Sequence, residues 1–81
     1  MNVYRFNFDA SCPVNGDRIH YATELHLPRP VPVEQLLAYT AGIGSGLHED
    51  IADGMAQKFG GQQRITANHG GVEIETFRGQ P

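Results

Sequence analysis

Tyr4-Arg5-Phe6-Asn7-Phe8-Asp9-Ala10, then Val14-Asn15-Gly16-Asp17, then Ile19-His20-Tyr21-Ala22-Thr23-Glu24-Leu25-His26-Leu27: these three stretches decide the fold. The first and third alternate apolar and polar residues with period two, the pattern of strands with one buried face. The second holds Asn-Gly, the strongest two-residue hairpin signal, because both central positions of a type I′ turn need a positive φ. With Asn15 and Gly16 as the loop, Val14 faces Asp17, Cys12 faces Ile19, Ala10 faces Tyr21, Phe8 faces Thr23, Phe6 faces Leu25 and Tyr4 faces Leu27. Pro13 then faces Arg18, with its missing N–H turned away from the partner strand. Turn chemistry and hydrophobic pattern agree, and a one-residue slip would scatter the apolar set over both faces.

Outward from this hairpin, Leu27-Pro28-Arg29-Pro30-Val31-Pro32 makes a stiff extended connector, since closely spaced prolines continue neither a ladder nor a helix. Residues 33–59 read as helical. Leu36, Leu37, Ile43, Leu47, Ile51, Met55 and Phe59 lie near one stripe. Gly60-Gly61 is a natural stop, with Lys58 suited to the dipole. Gly42-Ile43-Gly44-Ser45-Gly46 interrupts the run. It predicts either a close packing face or a break, with Ser45 capping a second helix. Ile65 and Ala67, then Val72, Ile74 and Thr76, alternate again around Asn68-His69-Gly70-Gly71. A register placing Ile65 opposite Ile74, Ala67 opposite Val72 and Arg64 opposite Glu75 gives one apolar face and a cross-strand ion pair.

The expected architecture is therefore one small α+β domain over residues 1–81. Its order is ββαββ, with the helix whole or split in two, and a four-stranded antiparallel sheet carries the helix on one face. The 81 residues, 40% hydrophobic and 19% charged, suit a folded chain rather than a disordered one. A chain this small buries only about 60% of its unfolded surface, so dimerisation through a sheet edge or an apolar patch is expected.

Charge narrows the function. The net charge is −3, and five of the six basic residues are arginines scattered at positions 5, 18, 29, 64 and 78. That disfavours direct nucleic-acid binding, which wants a basic patch. An acidic surface more readily meets a basic protein surface. Apolar runs are only a few residues long, so no membrane-spanning helix is expected, and no secretory core is visible at the start. The lone Cys12 forms no internal disulfide and no multi-thiolate zinc site. It reads as a small buried apolar residue in a reducing, cytoplasmic setting.

The chemistry-bearing residues form no complete motif. His20, Glu24 and His26 share the outer face of the second strand, but His20 and His26 lie roughly 20 Å apart along it and cannot share a metal. Glu24 can approach only His26. The glycines at 42, 44 and 46 lack the preceding parallel strand and the Gly-Lys-Ser/Thr of a phosphate loop. His48-Glu49 begins like a zincin helix, but Ala52 stands where the second histidine belongs. Ser11, Ser45 and Cys12 sit in no nucleophile context, and no spacing gives His69 a partner. No cofactor, metal or catalytic residue is therefore expected, and the chain reads as a non-enzyme.

Phe6-x-Phe8-Asp9-Ala10 resembles the opening strand of the pterin-synthase tunnelling family, which also joins a hairpin, helices and a hairpin. In that family zinc-binding histidines follow the opening strand. Here Ser11-Cys12-Pro13 and the Asn15-Gly16 turn occupy that stretch, and no residue's role carries over. Small acidic α+β chains with few lysines also resemble the inhibitors that phages encode against host defence complexes.

The sequence thus points first to a protein–protein interaction module whose acidic surface covers a partner. A phage-type inhibitor of a nucleic-acid-handling host complex is one version. Glu49, Asp50 and Asp53 on the helix and Glu73 and Glu75 on the last strand are the expected contacts. The alternative is a small homo-oligomeric ligand-binding protein or enzyme with an intersubunit site around His20, His26 or His69. A third reading is an assembly subunit using its sheet edge.

Overall fold

A computed structural model describes residues 1–79. The chain runs β1 (Asn2–Ser11), β2 (Arg18–Leu27), α1 (Val33–Ala41), α2 (His48–Phe59), β3 (Gln62–His69) and β4 (Val72–Arg78). The four strands form one antiparallel sheet in the order β1-β2-β3-β4, as the α+β reading requires. The sequence also predicts fraying at Gly79-Gln80-Pro81, of which the last two lie outside the described residues.

Both hairpins keep the expected faces, but each register differs by two residues from expectation. In the first, Tyr4 pairs with Leu25, Phe6 with Thr23, Phe8 with Tyr21 and Ala10 with Ile19. The cause is the turn. Gly16 has φ +78, but no non-glycine residue among the described residues has positive φ, so Asn15 does not complete a type I′ turn. Pro13 instead opens a longer loop, as its fixed φ favours. The Cys12 N–H donates to the Asp17 carbonyl at 2.8 Å, and the Gly16 N–H donates to the Cys12 carbonyl at 2.8 Å. Asn15 works through its side chain, whose Oδ1 accepts the Asp17 N–H at 3.0 Å.

The tight turn falls in the second hairpin. Gly70 (φ 62) and Gly71 (φ 86) both take the left-handed region, and His69 pairs with Val72. Ile65 accordingly faces Thr76, and Ala67 faces Ile74. Arg64 lies opposite Phe77 rather than Glu75. Its ion pair with Glu75 survives as a diagonal contact, Nη1 to Oε1 at 3.2 Å.

The helical run breaks after Ala41. Ser45 caps nothing, and the residue before α2 is Leu47, with extended backbone and no side-chain cap. The freed connector turns back onto the sheet, and Ser45 forms a parallel bridge with Ser11. The helices cover one face of the sheet. Leu36, Ile51, Ala52 and Met55 join Ala10, Cys12, Ile19, Tyr21, Leu25, Leu27, Ile65 and Ala67 in the core. Leu37 and Leu47, expected on the buried stripe, are exposed: α1 buries Leu36 and Thr40 instead, and Leu47 lies in the connector before α2. Gln63 fixes the end of α2. It is 1% exposed, and its Nε2 donates to the carbonyls of Met55 (3.2 Å) and Gly60 (2.7 Å). Tyr4 ties the proline connector to β1, its hydroxyl accepting the Val31 N–H at 2.9 Å. Among the described residues no helix is long and apolar enough to cross a membrane.

Candidate functional site

Two polar regions lie on opposite faces of the sheet. On the uncovered face Glu24 is the hub. Its Oε1 takes Arg5 Nε at 2.8 Å and lies 3.6 Å from Arg64 Nη2, and its Oε2 lies 2.9 Å from His26 Nε2. The His26 and Arg5 hydrogen bonds hold the Glu24 carboxyl down at about 2. The contact with His26 is the one expected from the strand spacing. His20 instead meets Asp9, Nδ1 to Oδ1 at 2.8 Å, because the register sets Asp9 rather than Ser11 opposite it. Arg5, Asn7, Ala22, Glu24, Arg64 and Thr66 line a depression of about 290 Å³ here. Its charges are largely matched internally, so it reads as a structural network.

The second region lies under the connector between the helices. The Ser11 N–H donates to the Gly44 carbonyl at 2.9 Å, and the Gly46 N–H donates to the Ser11 carbonyl at 3.1 Å. These two bonds bring the start of α2 over the end of β1. A cavity of about 30 Å³ results, lined among others by Cys12, Tyr21, His48 and His69. Tyr21 stacks on Phe8 with centroids 5.1 Å apart and meets the edge of the His48 ring at 5.4 Å. The His48 Nε2 is buried and has no hydrogen-bond partner among the described residues. Burial holds the His48 pKa below the usual imidazole value and outweighs the opposing pulls of Glu49 and of the nearby Ile65 backbone. Burial likewise raises the Tyr21 phenol, with a further contribution from Cys12.

Chemically the cavity offers a thiol, a phenol and an imidazole kept uncharged near neutrality. An imidazole can take up a proton and a phenol can donate one. Cys12 is buried, at 4% exposure, as the sequence suggested. Its neighbours are not all apolar, however, and that was not foreseen. In sequence His48 stands beside Glu49, Asp50 and Asp53, where a solvated acidic face is the expectation. Nothing in its local spacing links it to Cys12; the glycine-rich connector makes the link.

The acidic residues expected to face a partner are partly engaged within the chain. Arg78 Nη2 meets Glu49 at 2.6 Å, and Arg78 Nε meets Asp53 at 2.8 Å. Glu75 is held by Arg64. Asp50 and Glu73 are exposed and enter none of these pairs. Of the histidines proposed for an intersubunit site, only His69 reaches the cavity. Among the described residues no three metal-ligating side chains converge.

The fold defines a class: a small ββααββ chain whose helices cover one face of a four-stranded antiparallel sheet. No family model and no curated protein matches the sequence. Among solved structures, the apo form of the archaeosine synthase QueF-Like is similar, with 17% identity and a TM-score of 0.64. The match covers 99% of this chain and 94% of that one. The likeness is one of fold. It corrects the expectation of a non-enzyme, because that expectation rested on missing local motifs. Over nearly its whole length this architecture matches a chain named as a synthase.

Proposed function

We propose that the chain is a small homo-oligomeric ligand-binding protein or enzyme. Its site is built around the cavity of Cys12, Tyr21, His48 and His69 and completed by a second copy. The buried His48 Nε2 without a partner carries this reading, since such an atom is costly unless something binds it. A cavity of about 30 Å³ has room for a water or one small reactive group, and not for a whole organic ligand. The rest of a ligand would lie outside, where a neighbouring subunit can cover it. The sheet order leaves β1 and β4 as free edges, and exposed Val3, Val33 and Leu37 flank one while Val72 and Phe77 flank the other. Such edges suit association between copies. The likeness to an archaeosine synthase supports this reading over an acidic inhibitor.

The test combines light scattering with iodoacetamide labelling of Cys12 in the wild type and in His48→Asn. The reading expects a defined oligomer and roughly tenfold slower labelling in the variant near neutral pH. A monomer at high concentration, with labelling indifferent to His48, would overturn it.

A further inference from the structure

Arg78 is the last residue of β4 and points to the helix-covered side of the sheet. Its side chain is 28% exposed and makes three contacts: Nη2 to Glu49 at 2.6 Å, Nε to Asp53 at 2.8 Å, and Nη1 to the Phe77 carbonyl at 2.9 Å. Glu49 and Asp53 are four apart, on one face of the first turns of α2. The guanidinium therefore spans both with its planar fork, which an ammonium cannot reproduce. The N-terminal turn of α2 has no side-chain cap of its own. Glu49 follows His48 directly, so whatever holds the Glu49 carboxylate also sets where the imidazole sits.

We propose that Arg78 is a positioning residue of the cavity. By gripping Glu49 and Asp53 it fixes the first turn of α2 on β4, places the His48 ring against Tyr21 in the cavity, and occupies the carboxylate that follows it. This rests on the reading of the cavity as the functional site. The charged and titratable groups facing His48 are Cys12 before the hairpin loop, Tyr21 on β2, His69 on β3, Glu49 on α2 and Arg78 on β4. Arg78 and Glu49 act on the ring with opposite signs.

The experiment is an NMR titration of His48 in the full ligand-free chain, comparing wild type, Arg78→Gln, Arg78→Lys and Glu49→Gln, with melting temperatures in parallel. Removing the Arg78 charge and releasing Glu49 moves His48 titration up by roughly half a pH unit. Arg78→Lys keeps the charge but loses the two-armed grip, so it moves the titration up by a large part of the same shift. Glu49→Gln leaves Arg78 on Asp53 and moves the titration down. Loosening alone would expose the ring and move every variant upward, in step with lost melting temperature. That pattern, or an unmoved Arg78→Gln, would overturn the proposal. The titration is read without ligand, so its outcome is separate from the labelling result that tests the cavity's role.

Discussion

Ser11 and Ser45 form a parallel bridge that joins the end of the first strand to the loop between the helices. Through it Gly44 accepts from Ser11, and Gly46 donates to Ser11. Gly44 holds φ +64 with open space around its missing side chain. Gly44→Ala should therefore cost about 1 kcal/mol through backbone strain alone. It should also speed amide hydrogen exchange at Ser11 and Gly46. Gly70→Ala, with φ +62 and equally open surroundings, is the matched control. It should cost a similar amount and leave those two amides protected.

Glu24 predicts an acid-sensitive sheet face. Its carboxyl is held at about 2 in the folded chain against 4.5 ordinarily. A depressed carboxylate contributes stability that is complete above the ordinary value and is lost as pH falls through the folded one. Stability in urea should decline between about pH 4.5 and pH 2, and Glu24→Gln should flatten that slope. An unchanged slope would mean that Arg5 and His26 do not hold the carboxylate in solution.

Gly61 should tolerate no side chain. Its φ is +70, and a Cβ there would run into the His26 carbonyl and the Leu27 side chain. Gly61→Ala should lose about 2 kcal/mol or more, combining strain with a backbone clash. The melting temperature should fall by roughly 8 °C or more.

Gln63→Leu keeps the side-chain size but leaves the Met55 and Gly60 carbonyls without their donor. Losing the two hydrogen bonds that tie this side chain to the end of α2 costs about 1–2 kcal/mol. Equilibrium unfolding should show that loss, with the oligomeric state unchanged. Tyr4→Phe removes a less buried bond to Val31 and should cost about 1 kcal/mol.

The order of elements and the buried face of every strand were legible, because period two in Tyr4–Ala10 and Ile19–Leu27 leaves no freedom of face. Register was not, because Asn-Gly is compatible with more than one loop. Pro13 and the Asn15 side chain chose the longer one, while Gly70-Gly71 took the tight turn. The cavity was illegible for a different reason. Cys12 and His48 come to line one cavity only through two backbone hydrogen bonds from a connector whose path depends on where the helix breaks. The glycines between positions 42 and 46 announced a break but not its direction.

The strand order has a kinetic consequence. Neighbours β1–β2 and β3–β4 are each joined by a short turn, so both hairpins can form by local chain closure. Only the seam between β2 and β3, from Tyr21–Ala67 to His26–Gln62, must wait for the whole helical excursion to be looped out. Loop closure carries an entropy cost before any contact is gained, and non-local pairing slows folding. The seam is therefore the rate-limiting junction. Substitutions at Thr23 or Ile65 and changes at the Gly16 turn should both slow refolding, because both contacts are in place when the chain crosses the barrier.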